Sequence, residues 1–429
     1  MKHIIKEIIL ENQNSALPSL IKRNITIELN LKMIVSLVGA RRSGKTYILY
    51  DLISQLKHKG ISKENILFLN FEDERLNLTT NDLDLIIQAY TELFPAIELN
   101  TVYFFFDEIQ NVDDWEKFVR RIFDTKSRNI FITGSNSKLL STEIATALRG
   151  RTITYEIYPL SFSEYLLFNN VKQDLYPQKN KSTIIHYFEK FLTNGGFPEI
   201  VFFDDRIRIK ILQQYYNVMI FRDIVERYQV SNIDALRFLI KKMFASVTKP
   251  FSVNKTYNDL KSLGYKISNK YLYSYFTYCN DSYLSQSVNK FDFSEIRQAK
   301  SEKKTYIIDT GLLSAIEFSI SKNKGKLLEN LVFLEFLKSN KDIYYFKHNY
   351  ECDFIIHSNG DYLPVQVSYD IHNTKTKERE LNGLIEACQY LKSDKGLIIT
   401  FDQEENIKHN SIDIDVIPAY KYFLTKEKK

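Results

Sequence analysis

The eight residues Gly39-Ala40-Arg41-Arg42-Ser43-Gly44-Lys45-Thr46 fit the pattern G-x-x-x-x-G-K-[ST] and constrain this chain more than any other stretch. A loop of this kind needs glycines so that successive backbone N–H groups turn inward around a β-phosphate. It also needs a helix start behind it, whose dipole favours the anion. Both flanks agree: the apolar run Met33–Val38 reads as a strand, and the helical stretch Tyr47–Lys59 follows, closed by Gly60. In such a loop Lys45 neutralises the β- and γ-oxygens and the Thr46 hydroxyl ligates Mg²⁺. With only 13 glycines in 429 residues, a chance match in this setting is improbable. The expected ligand is a nucleoside triphosphate with Mg²⁺, bound by Gly39, Ala40, Arg41, Arg42, Ser43, Gly44, Lys45 and Thr46.

A second element strengthens the first. Val102-Tyr103-Phe104-Phe105-Phe106-Asp107-Glu108 reads as a buried strand ending in two carboxylates. Ligands collect at the C-terminal ends of parallel strands, which puts this pair beside the P-loop. Asp107 is expected to hold Mg²⁺ through water, and Glu108 to orient or deprotonate the attacking water. After the next strand, Asn129–Thr133, either Thr133 or Ser135 can reach the γ-phosphate or the lytic water. Arg149 and Arg151, just before the last strand of the segment, Thr152–Tyr158, are candidates for a finger, in cis or from a neighbouring subunit. A solvated basic loop is the plainer reading of them. The acidic run Asn70-Phe71-Glu72-Asp73-Glu74-Arg75 follows the strand Ile66–Asn70, near the phosphate edge or simply on the surface.

Composition narrows the remaining classes. Hydrophobic residues at 44% and charged residues at 26% suit a folded chain rather than a disordered one. The length implies two or three domains. No apolar run is long enough to span a bilayer, and Met1–Glu7 has neither a long apolar core nor a small-residue cleavage site. Cys279, Cys352 and Cys388 are dispersed and suit a reducing cytosol, so a cytoplasmic location without a membrane partner is expected. A net charge of +5 says little about nucleic acid unless it concentrates on one surface.

Gly39–Thr46, Asp107-Glu108-Ile109-Gln110, Phe131-Ile132-Thr133-Gly134-Ser135 and Pro159-Leu160-Ser161-Phe162-Ser163-Glu164-Tyr165 together resemble a prokaryotic AAA-type P-loop ATPase family. That family carries a C-terminal region of uncharacterised role, related to restriction-endonuclease-like folds. Gly195-Gly196-Phe197-Pro198-Glu199 and Tyr306-Ile307-Ile308-Asp309-Thr310-Gly311-Leu312 are similar to its later motifs. The resemblance covers nearly the whole chain and implies ATP as the nucleotide, but brings no substrate. The expected fold class is α/β in four parts. An AAA-type ATPase core occupies 1–168, a helical lid or linker 169–230, a winged-helix-like domain 231–313, and a restriction-endonuclease-like domain 314–429.

In the middle segment, helices at Ser252–Leu263 and Asn269–Asn280 are followed by strands at Tyr283–Val288 and Thr305–Ile308, which flank Asn289–Lys304 as a wing. Lys290, Arg297, Lys300, Lys303 and Lys304 on that wing are candidate phosphate contacts of DNA. The tyrosine-rich second helix suits domain packing equally well. Further on, Glu329 on the helix Lys326–Lys338, Asp353 on a strand and Gln366 on the next strand resemble the carboxylate order of the endonuclease-like core. There carboxylates bind Mg²⁺ and a lysine activates water. Gln366 stands where glutamate belongs and Ser368 where lysine belongs, so the site is expected to be degenerate unless Lys347 substitutes.

The leading expectation is an ATPase that couples nucleotide state to DNA- or protein-binding modules, with an oligomer possible. The alternatives are an ATP-dependent metal nuclease of a defence or mobile-element type, and a slow nucleotide-dependent signalling switch.

Overall fold

The computed structural model describes residues 1–135, 146–176, 178–317, 323–339 and 341–426. These divide into two compact units, Met1–Ile157 and Tyr158–Lys429. Pro177, in the expected lid or linker 169–230, lies outside the described residues.

Unit 1 is a five-stranded parallel sheet in the order β2-β3-β4-β1-β5. Its strands are β1 (Ile34–Val38), β2 (Ile66–Asn70), β3 (Tyr103–Asp107), β4 (Asn129–Gly134) and β5 (Thr152–Glu156), each within two residues of its expected bounds. The apolar runs of β1 and β3 are buried throughout their interiors, as strands covered on both faces must be. Helices α1 (Lys2–Asn14), α2 (Lys45–His58), α3 (Asp84–Leu93) and α4 (Trp115–Thr125) accompany the sheet. On α2, Ile48, Leu49, Leu52, Ile53 and Leu56 recur at helical spacing and pack with Val35, Leu37, Phe105 and Phe131. Phe105 and Phe131 stack with centroids 4.7 Å apart.

Unit 2 begins with α5 (Phe162–Phe168), α6 (Gln178–Asn194) and α7 (Asp205–Val218). Helix α7 is continued by a wider π-helical stretch, Met219–Glu226. Then come α8 (Ile233–Ala245), β6 (Pro250–Phe251), α9 (Val253–Ser262), α10 (Asn269–Asp281), β7 (Ser285–Lys290), α11 (Glu295–Lys300) and β8 (Lys303–Ile307). The Ser268 hydroxyl accepts the Tyr271 N–H and caps α10, as its position before the periodic run implied. Strands β6 and β7 both pair antiparallel with β8. The expected wing is not an open loop, because α11 occupies its middle.

The rest comprises α12 (Thr310–Ile316), α13 (Lys324–Leu337), β9 (Asp342–Lys347), β10 (Glu351–Ser358), β11 (Asp361–Val367), α14 (Thr374–Leu391), β12 (Lys395–Thr400), β13 (Glu405–His409), β14 (Ile412–Pro418) and α15 (Ala419–Lys426). Strand β7 pairs parallel with β9, which joins two sheets into one of nine strands in the order β13-β14-β12-β11-β10-β9-β7-β8-β6. Sequence reading placed a boundary at 313/314; the strand pairing runs across it. Two glycine motifs also interlock here. The Asp309 carboxylate caps α12 by accepting the Leu312 N–H and also accepts the Gly196 N–H at 2.6 Å. A Cβ on Gly311 would fall 1.9 Å from the Asn194 carbonyl oxygen, so this approach requires glycine.

Candidate active site

The P-loop leaves β1 through Gly39, whose φ is 154° and whose absent Cβ would lie 2.0 Å from the Ile157 carbonyl oxygen. Gly44, at φ 96°, turns the chain into α2. Lys45 is buried, and its ammonium donates to the carbonyls of Gly39 and Ala40, both at 3.1 Å. It also lies 3.4 Å from Glu108 Oε1. Two flanking contacts brace the loop. Arg23 donates to the Ser43 carbonyl at 2.8 Å, and Arg41 pairs with Glu72 at 2.5 Å. The acidic run after β2 is thus tied to the P-loop through Glu72.

At the end of β3 the two carboxylates differ in environment. Asp107 Oδ2 accepts the Thr46 hydroxyl at 2.8 Å, and Oδ1 accepts the Thr133 hydroxyl at 2.6 Å. Burial pushes the Asp107 carboxyl up to about 6, helped by the neighbouring Glu108 charge and opposed by both hydroxyls and Lys45. Glu108 is also buried, but the Lys45 ammonium and the Gln110 amide more than offset that burial and hold it below the usual carboxylate range. The Glu108 backbone sits at φ 52°, a conformation that costs a non-glycine residue energy, and its N–H donates to Thr133 Oγ1 at 2.8 Å. The strained turn aims one carboxylate at Thr46 and the other at Lys45.

These bonds separate the two strand-end hydroxyls. Thr133 is committed to Asp107 and to the Glu108 backbone. Ser135 Oγ is buried and has no partner among the described residues, and Ser43 Oγ in the loop is likewise unpartnered. Arg151, one of the two candidates for a finger in cis or from a neighbouring subunit, starts at the far end of the sheet from the P-loop. The Arg151 carbonyl accepts the Ile34 N–H at the start of β1, and the P-loop leaves the other end of that strand. Four residues of strand separate the two ends by about 13 Å. Arg151 also pairs with Asp124 at 2.9 Å. Arg149 stands two residues further back, before the parallel pairing of β5 with β1 begins.

The carboxylates expected in the C-terminal segment do converge, but on an unexpected cation. Lys304, expected on an exposed wing, is 0% exposed. Its ammonium lies 3.2 Å from Glu329, 2.9 Å from Glu351 and 3.0 Å from Asp353. Alternation along β8 puts Lys304 and Tyr306 on one face, and the Tyr306 hydroxyl donates to Glu329 at 2.9 Å. Lys347, the expected substitute, is half-exposed and pairs with the outer oxygen of Glu351 at 3.1 Å. Gln366 accepts the Asp353 N–H at 3.1 Å and donates to Glu380. The Ser368 hydroxyl donates to the Asp370 carbonyl. Among the described residues no group of three or more histidine, cysteine, aspartate or glutamate side chains is arranged to hold a metal ion. Of the other wing residues, Arg297 pairs with Asp292, and Lys300 is exposed.

Sequence reading missed Arg23, Glu72 as a P-loop partner, and Lys304 as a buried cation. Only the last left a signal: a lysine two positions from Tyr306 in a strand otherwise buried.

A parallel sheet with a P-loop after β1 and an Asp-Glu pair ending β3 is the core of a P-loop ATPase. Residues 31–166 match the family described as an AAA domain, and residues 185–324 and 324–422 match two domains of unknown function, DUF8612 and DUF4143. The chain belongs to the family of the uncharacterised protein MJ1544 of Methanocaldococcus jannaschii, with 39% identity over 99% of this chain and 96% of that one. An uncharacterised Haemophilus influenzae protein is 32% identical over 78% of this chain and 82% of its own length. Among solved structures, the Walker-type ATPase paby2304 of Pyrococcus abyssi overlays with TM-score 0.42 and 14% identity, covering 73% of this chain and 94% of that one. The Aeropyrum pernix ORC1 protein in complex with DNA overlays at 0.30 with 10% identity, over 74% and 92%. Overlaps this loose transfer no role. No helix among the described residues is long and apolar enough to cross a membrane.

Proposed function

We propose that the chain binds Mg-ATP at Gly39–Thr46 and hydrolyses it, and that nucleotide state controls a nucleic-acid-binding surface elsewhere in the chain. The observation that carries the reading is the bonded series Thr46–Asp107–Thr133 beside the Lys45–Glu108 pair. Thr46 and Asp107 are the residues that would hold Mg²⁺, which supplies charge neutralisation at the phosphates. The Lys45 ammonium would exchange its two loop carbonyls for phosphate oxygens. Glu108, kept ionised inside a buried site, is suited to take a proton from water. Ser135, with its hydroxyl uncommitted, is the better candidate for sensing the γ-phosphate.

The partner half of the reading rests on α9 and α10. The element order α8-β6-α9-α10-β7-α11-β8 supports a winged-helix assignment. Between 254 and 277, Lys255, Lys261, Lys266 and Lys270 are exposed, as are Tyr271 and Tyr273. The only acid in that stretch, Asp259, is paired with Lys242. A basic face with exposed aromatics suits a phosphate backbone and base edges better than a packed domain interface. The order α13-β9-β10-β11-α14-β12 supports the endonuclease-like reading of the C-terminal region, as a fold without cleavage.

Steady-state phosphate release with and without duplex DNA tests the proposal. Turnover that DNA alters supports it. Tight nucleotide binding with no turnover in either condition would favour the slow switch.

A further inference from the structure

We infer that the C-terminal carboxylate centre is a cation site whose resident cation is the chain's own Lys304, so that it takes no divalent metal and serves as an electrostatic clasp. Three elements supply the carboxylates and a fourth supplies the charge. Glu329 comes from α13, Glu351 and Asp353 from β10, and Lys304 from β8. Each carboxylate has an oxygen within 3.2 Å of the ammonium, which has three N–H donors and so is saturated by the three. The Tyr345 ring covers the nitrogen at 5.6 Å. No water-facing position is left, because the lysine is 0% exposed.

The second oxygens of Asp353 and Glu351 are committed as well. Asp353 Oδ2 accepts the Val367 N–H at 3.0 Å, and Glu351 Oε2 holds Lys347. Glu329 Oε1 also receives the Tyr306 hydroxyl. A phosphodiester-cleaving metal site needs open coordination positions for water and a phosphate oxygen. Here five of the six carboxylate oxygens already face the ammonium or another protein donor. The arrangement instead fastens the β6–β8 strands to α13 and β10, reinforcing the parallel β7–β9 pairing at the same seam. Burial opposes the Lys304 charge, but the carboxylates around it outweigh that and keep it an ammonium.

The test uses the full chain without nucleotide, with thermal unfolding and calorimetric titration of Ca²⁺ against EDTA. Wild type is expected to unfold at the same temperature in both, with no Ca²⁺ binding that depends on Asp353. Lys304→Ala leaves three carboxylates facing an empty position, so its unfolding midpoint should fall by about 10 °C in EDTA. Ca²⁺ should restore most of that loss, since the oxygens need to close in by only roughly half an ångström to reach the 2.3–2.6 Å that this ion requires. If Lys304→Ala does not fold, the triple variant Lys304→Met, Glu329→Gln, Asp353→Asn decides. Removing both partners should recover stability and abolish any Ca²⁺ response. Ca²⁺ stabilisation of wild type that Asp353→Asn removes would overturn the inference, as would a Lys304→Ala protein as stable as wild type in EDTA. A triple variant no better than Lys304→Ala would overturn it too.

Discussion

The Thr46 hydroxyl donates to Asp107 Oδ2 over 2.8 Å, joining the end of the P-loop to the end of β3 across 61 residues of sequence. Thr133 holds the other oxygen of the same carboxylate. Asp107 is therefore oriented from both sides, and the Glu108 turn inherits that orientation through its N–H bond to Thr133.

Nucleotide binding and turnover should separate in mutants. Lys45→Ala is expected to lose nucleotide binding. Glu108→Gln should retain it while phosphate release falls by about 10²- to 10⁴-fold, the usual range for losing a general base. Equilibrium binding of a fluorescent ATP analogue and a phosphate-release assay measure the two effects. Unchanged release in Glu108→Gln would remove its role.

Thr133→Val keeps the size of the side chain and deletes the hydroxyl that serves Asp107 Oδ1 and Glu108 N. Each buried group left unpaired costs about 1–3 kcal/mol. The expected outcome is lower thermal stability of unit 1 together with reduced turnover, whereas Ser135→Ala should lower turnover and leave the unfolding midpoint in place. If both variants lose stability equally, the division of labour between the two hydroxyls is wrong.

Arg149 and Arg151 lie at the wrong end of β1 to act on their own nucleotide. A finger role for them is proposed toward the nucleotide of a neighbouring chain. Mixing Lys45→Ala subunits with Arg149→Ala/Arg151→Ala subunits should then restore turnover that neither shows alone. Normal turnover by the arginine variant, or no recovery on mixing, assigns these residues to structure alone.

Asp309 offers a pH signature. Burial raises its carboxyl to about 6 against the bonds from Gly196 and Leu312. A group whose folded pKa lies above its unfolded value of 3.8 favours the folded state most below that value. The contribution disappears as pH rises through about 6. Relative to Asp309→Asn, wild type should gain about 2.4 kcal/mol between pH 7.5 and pH 4, read from urea unfolding at each pH. A constant difference would contradict it.

On the α9–α10 face, replacing Lys261, Lys266 and Lys270 by alanine should weaken duplex DNA binding. It should also reduce the slope of log K against log salt by about 2–3, close to one counterion per lysine. An unaltered slope would return this face to a protein partner.

Much of unit 1 was legible because its signals are local. β1, β3 and β4 are apolar runs bounded by turn residues, and the P-loop is contiguous, so strand, loop and helix are read from neighbours in sequence. The same holds for α10, where Ser268 marks the cap. The C-terminal region was read less completely. Gln366 and Ser368 depart from the expected pattern, and the lysine that lies among the carboxylates sits 64 residues before Ser368, on a strand read as part of a wing.

What the amino-acid sequence determined alone is the identity of the phosphate loop, the two carboxylates after β3 and the apolar periods of the elements around them. Tertiary structure decided the rest. Parallel pairing sent Arg151 to the far end of β1 and, between β3 and β4, brought Thr133 onto Asp107. Pairing of β7 with β9 turned a presumed surface lysine inward among three acids. A lysine or arginine has the same charge and length wherever it stands. Whether it meets water, phosphate or a buried carboxylate depends on strand order and register, which no local pattern encodes.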